Sequence, residues 1–162
     1  MNTIDPSSIP VTKEIWAVCD VNNGATVLNG SKGNPYKTGG NLDSLIPILG
    51  DSVRLHLGPG VYLTRGINLP ATFIGGDDGV TGVTIKFADS AFSQAGVARM
   101  FRDVNWNRYF CLSNWTLDAN FVNQPAAQSG NFKVEPIAVK TIIGQVRGCR
   151  LINWGSSSAA YP

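Results

Sequence analysis

Asp77 and Asp78 are the one adjacent carboxylate pair in the chain. Two carboxyl groups flanking a glycosidic bond can divide the work of its hydrolysis, one as acid and the other as base or nucleophile. Here the pair stands in Gly75-Gly76-Asp77-Asp78-Gly79. Asp and Gly at that density read first as a turn. His56 is the only histidine, so a Ser/His/Asp relay would have to use it. No Gly-x-Ser-x-Gly elbow accompanies it. One histidine without a cysteine pair cannot fill a zinc shell. These residues yield no catalytic assignment.

Binding chemistry has better candidates. Trp106 and Trp154 lie beside Asn and Gly, and their flat rings offer an apolar face with a polar edge, suited to a sugar ring. Asp118 is expected to point outward if Leu117 points inward. Arg150, on the next repeat, would then stand beside it. That pair suits sugar hydroxyls or a calcium ion, with a solvated surface charge as the plainer reading. Tyr109, Trp115 and Tyr161 complete the aromatic half of the chain, with Trp115 expected in the core. The Gly-rich stretch before residue 41 holds no Gly-Lys-Ser/Thr and so no phosphate loop.

The elements that must carry these residues show a repeat. Val53-Arg54-Leu55-His56-Leu57, Val83-Thr84-Ile85-Lys86-Phe87, Trp115-Thr116-Leu117-Asp118-Ala119 and Cys149-Arg150-Leu151-Ile152-Asn153 each place apolar residues first and third. Alternation of this kind is a strand with one buried face. The runs recur every 30 to 34 residues, a period proper to solenoids. Their stacking predicts one inward column of Val53, Val83, Trp115 and Cys149 and a second of Leu55, Ile85, Leu117 and Leu151. Further strands are expected at Val61-Tyr62-Leu63, Tyr109 to Leu112 and Ile142 to Val146. An antiparallel sandwich is the alternative, since it also alternates. Residues 1–40 read as an irregular arm and 41–162 as the stacked region. Asn41 to Leu49, with Leu42, Leu45, Ile46 and Leu49 at helical spacing, predicts a short helix capped by Asn41, shortened by Pro47 and covering the end of the stack.

The stretch Leu42-Asp43-Ser44-Leu45, then Val53 to Gly60, then Tyr62-Leu63-Thr64-Arg65-Gly66 resembles the opening of pectate-lyase-like proteins. Trp115 to Asn120 and Cys149 to Gly155 are similar to later steps of that superfamily. The resemblance implies an all-β fold, the first coils of a right-handed parallel β-helix with a short N-terminal capping helix. It implies a role in polysaccharide binding or degradation, extracellular or on a virion. The superfamily's Gly-His-Gly and Arg-Ile-Lys motifs are absent, so this portion is expected not to be catalytic alone; any activity would be that of a polysaccharide lyase or glycoside hydrolase. Two other readings stand beside it: an assembly module of the tail- or surface-fibre kind, and a depolymerase completed by a partner chain.

Composition narrows the partners. Net charge is +2 with Lys and Arg scattered, without the basic stripe of a nucleic-acid reader, and no apolar run reaches transmembrane length. Cys19, Cys111 and Cys149 are an odd set, in which a Cys111–Cys149 disulfide is one option and core packing of free thiols another. Unpaired strand edges at the far end predict self-association or stacking there.

Overall fold

The computed structural model describes residues 5–20, 28–76, 79–92, 96–103, 107–128 and 132–157. They form an all-β structure whose strand-to-strand pairings, among the described residues, are all parallel. Parallel pairing excludes the antiparallel sandwich, whose neighbouring strands are joined by hairpins.

The chain visits three sheets in rotation. After β1 (Lys13–Val18) and β2 (Tyr36–Lys37), the first circuit runs through β3 (Ser52–Leu57), β4 (Gly60–Thr64) and β5 (Ile67–Leu69). The second runs through β6 (Thr72–Gly75), β7 (Val83–Phe87) and β8 (Gly96–Asp103). The third takes β9 (Asn107–Ser113), β10 (Trp115–Asp118) and β11 (Phe132–Ala138), and β12 (Thr141–Arg147) and β13 (Arg150–Ile152) begin a fourth. The resulting sheet orders are β12-β9-β6-β3-β1-β2, β13-β10-β7-β4 and β11-β8-β5.

Alternation dictates which side chains turn inward. Val53, Leu55 and Leu57 of β3 are buried, while Arg54 and His56 between them stay partly exposed. In register with them, Val53 lies against Phe73 and Phe73 against Phe110. Their rings meet Phe101 of the third sheet across the interior at centroid separations of 5.9 and 6.4 Å. Each such ring withdrawn from water contributes roughly 1.5–3 kcal/mol before chain entropy is counted. Trp115, 2% exposed, reaches from the second sheet to the first, where Gly75 makes room for it; a Cβ on Gly75 would sit 2.6 Å from the indole.

The second expected column holds for three of its four residues and the first for two. Val83 and Trp115 are in register, as are Ile85, Leu117 and Leu151. The run at Val53 belongs to another sheet. The strand stacked beneath Val83 and Ile85 is β4, through Gly60 and Tyr62. Both strands of one circuit alternate in the same way, so their pattern carries no label of the sheet they join. Cys149 lies one residue before β13. Leu151 is inward in register but 51% exposed, because β13 is an edge strand with no neighbour beyond it among the described residues.

The segment at Asn41 forms a 3-10 helix, Leu42–Ile48, with the Asn41 side chain accepting from the Asp43 N–H at 3.1 Å. It packs against β4 and β5, the lower edges of their sheets. A 3-10 helix eclipses residues three apart. Leu42 and Leu45 are therefore buried together, and Ile46, expected inward at α-helical spacing, is 37% exposed. Residues 1–40 are not irregular throughout: β1 pairs with β3 from Lys13↔Val53 to Ala17↔Leu57. Ahead of β1, Asp5 to Val11 crosses the outer face of the first sheet as a strap. Ile9, 4% exposed, packs on Ile74 and Cys111, and the Arg54 guanidinium donates to the carbonyls of Ile9 (3.4 Å) and Ser7 (3.5 Å).

Candidate functional site

The outer face of β1 and β3 builds an aromatic groove. With Ile15 and Ala17 of β1 turned inward, Glu14 and Trp16 must turn outward. The register then sets Glu14 beside Arg54 and Trp16 beside His56. The indole and imidazole stack with centroids 4.0 Å apart and planes 4° from parallel. Glu14 steadies the far side of the pair, with Oε1 3.5 Å from Arg54 Nε and Oε2 3.9 Å from His56 Nε2. The stacked rings line a groove of about 480 Å³ with Lys32, Pro35, Pro59 and Val80. The floor is sheet backbone and the described lining is mostly apolar, with Lys32 as its cation. Among the described residues no Asp or Glu lines it. The arrangement suits holding a flat, partly apolar ligand.

The residues singled out from sequence are placed differently. Asp118 is not an outward, free carboxylate. It is 8% exposed, and its Oδ1 accepts from the Asn120 N–H at 2.8 Å and from Asn153 Nδ2 at 2.9 Å. Asn120 and Asn153 adopt left-handed backbone at φ 50° and 55°, a conformation Asn tolerates better than most residues. Asn120 Nδ2 in turn donates to the Phe87 carbonyl at 2.9 Å and to Asp89 at 2.6 Å. Asp118 thus ties the corner of one circuit to the next. Arg150 is exposed but pairs in register with Thr116, while Asp118 faces Ile152, so the expected Asp118–Arg150 partnership is not formed. Trp154 is half-buried against the core, with its indole nitrogen buried and without a hydrogen-bond acceptor. Trp106 and the Asp77-Asp78 pair lie outside the described residues.

Cys19, Cys111 and Cys149 are all free. Cys111 is buried beneath the strap, and desolvation there pushes its thiol pKa up; burial does the same to Cys149. Among the described residues no three His, Cys, Asp or Glu side chains converge as metal ligands. On the third sheet Glu135 meets Arg99 and Lys133, each at 2.8 Å, and these hydrogen bonds hold its carboxyl below the usual glutamate range.

No family model, curated protein or solved structure matches the chain. Of the groove's two rings, His56 was singled out in the sequence and Trp16 escaped it for a local reason. Trp16 sits in Lys13-Glu14-Ile15-Trp16-Ala17-Val18, where four apolar residues in a row mask the alternation that the run at Val53 shows. Aligning those two runs places Trp16 over His56.

Proposed function

We propose that this chain is the N-terminal part of a right-handed parallel β-helix, related to the pectate-lyase-like proteins, and that it binds polysaccharide outside the cell or on a virion without cleaving it alone. The rotation of successive strands through three parallel sheets supports the fold reading, since a coiled solenoid generates that order. The Trp16–His56 stack in its groove carries the functional reading. Paired flat rings on a rigid sheet give a pyranose an apolar platform at little entropic cost.

A glycan array tests it. Trp16→Ala should weaken the strongest hit by about ten-fold, the value of one lost aromatic contact near 1.4 kcal/mol. Absence of any glycan bound by the native protein refutes the reading. Incubation with uronic-acid polymer, watched for an unsaturated product in the ultraviolet, separates binding from depolymerisation.

The assembly reading is favoured by a different observation. Ile142, Val146 and Leu151 on edge strands β12 and β13 are 74%, 49% and 51% exposed. Self-association through these edges would cover them. Light scattering of the native chain and of Ile142→Glu tests it, and an equal monomer mass for both counts against it.

A further inference from the structure

The outer face of the first sheet holds a second groove, at the opposite ends of its strands from the Trp16–His56 stack. Its volume is about 390 Å³. One wall is the end of the strap, Pro10 to Thr12, and the other is formed by the corner residues that lead into β3, β6 and β9. Register fixes what that wall presents. Ser52 pairs with Thr72, and Thr72 with Tyr109. Since Val53, Phe73 and Phe110 point inward, Ser52, Thr72 and Tyr109 point outward, one above another on consecutive rungs. Asp51 and Arg108 are the exposed residues just before two of them.

These side chains are unspent by the fold. No hydrogen bond or ion pair joins the side-chain polar groups of Asp51, Ser52, Thr72, Arg108 or Tyr109 to another described residue. Several other acidic groups are consumed locally: Asp43 is taken by Thr64 and Arg65, Asp118 by two Asn, Glu135 by two cations. The residues lining the second groove therefore carry a carboxylate, hydroxyls, a guanidinium and a half-buried phenol ring, with Asp51 and Arg108 exposed at its corner. The rungs rise by about 4.8 Å, close to the length of one pyranose residue in a chain, so a glycan running along the stack meets one row of donors and acceptors per sugar.

We propose that this groove is a second saccharide subsite, in which a sugar ring lies on Tyr109 while Arg108 and Asp51 hydrogen-bond its hydroxyl or acidic substituents. The inference rests on the carbohydrate reading of the chain but not on the Trp16 groove. The two sites have no residue in common, so each can be removed alone.

The test uses the full chain and a panel of cello-, xylo-, manno- and galacturono-hexaose, titrated by calorimetry. For the hexaose that binds, Trp16→Ala leaves measurable residual affinity. Adding Arg108→Ala, an exposed position whose truncation leaves the core untouched, lowers that residual affinity by about ten-fold, as expected for a lost charge-assisted hydrogen bond. Tyr109→Ala, checked for an unchanged melting profile, does the same. If Trp16→Ala removes all binding, or if Arg108→Ala and Tyr109→Ala bind as their parent does, the second subsite is refuted while the carbohydrate reading stands. If no hexaose binds the native chain, this subsite is overturned, and a blank glycan array then overturns the wider reading with it.

Discussion

Replacing Gly75 with alanine tests the way the first and second sheets close around the interior. The added Cβ would lie 2.6 and 2.8 Å from two atoms of the Trp115 ring and 2.9 Å from Leu112 Cδ1, where ordinary contact begins near 3.4 Å. The indole must retreat by nearly an ångström. It cannot do so freely, because Trp115 is 2% exposed and its ring stands 6.4 Å from that of Phe101. Overpacking of this kind costs about 1–3 kcal/mol, which for a chain of this size lowers Tm by roughly 2–12 °C. Thermal unfolding followed by circular dichroism measures the loss. The decisive comparison is a double-mutant cycle with Trp115→Phe. The smaller ring leaves room for the methyl, so the two changes together should cost less than the sum of the two alone, by about 1 kcal/mol. A neutral Gly75→Ala, or strict additivity, would mean that indole and glycine do not meet, and the closure of the interior described above would be wrong.

Three further outcomes follow from the same geometry. Asp118→Ala should destabilise by about 1–3 kcal/mol, since it strands the donors of Asn120 and Asn153, and it should leave glycan affinity unchanged; denaturant titration and calorimetry check the two halves. In a Cys19→Ser, Cys149→Ser background, Cys111 should react slowly with a thiol reagent at pH 7.5, burial keeping it protonated. Ile9→Ala, which removes roughly 2–5 kcal/mol of packing from the strap's seat, should raise that rate more than about ten-fold; an unchanged rate would show that the strap is not what shields the thiol. Glu135 has its folded pKa depressed by Arg99 and Lys133, so its stabilising contribution is full above the ordinary glutamate value, roughly 4.3, and is lost as pH falls through the lower folded value. Glu135→Gln should therefore flatten the acid limb of a Tm-against-pH curve below about pH 4.3 and narrow its gap to the native chain there.

Much of the architecture was legible in residue order. The runs at Val53, Val83 and Trp115 announce strands with one buried face, and Asn41 marks the start of the short helix. The sheet to which each run belongs was not legible, because β4 follows β3 after a two-residue corner and its outward Val61 and Leu63 are apolar, which hides its alternation. The helix type was not legible either: Leu42, Leu45, Ile46 and Leu49 fit an α-helical face, and the tighter 3-10 winding turned Ile46 outward. Asp118 misled for a chemical reason. Its alternation is that of an outward residue, but the hydrogen bonds of a corner draw a carboxylate in, and one of those partners, Asn153, comes from the next circuit, 35 residues on. Trp16 was missed because its strand is preceded and followed by Pro, Ser, Asn and Gly, whose composition hides a six-residue element.

The strap has an implication for the order in which the molecule is completed. Ile9 rests on Ile74 and Cys111, side chains contributed by the second and third circuits. During synthesis the strap leaves the ribosome long before that seat exists. The strap must wait for its full apolar seat until the chain as far as Cys111 has wound into place, and its docking then reports that assembly has passed β9.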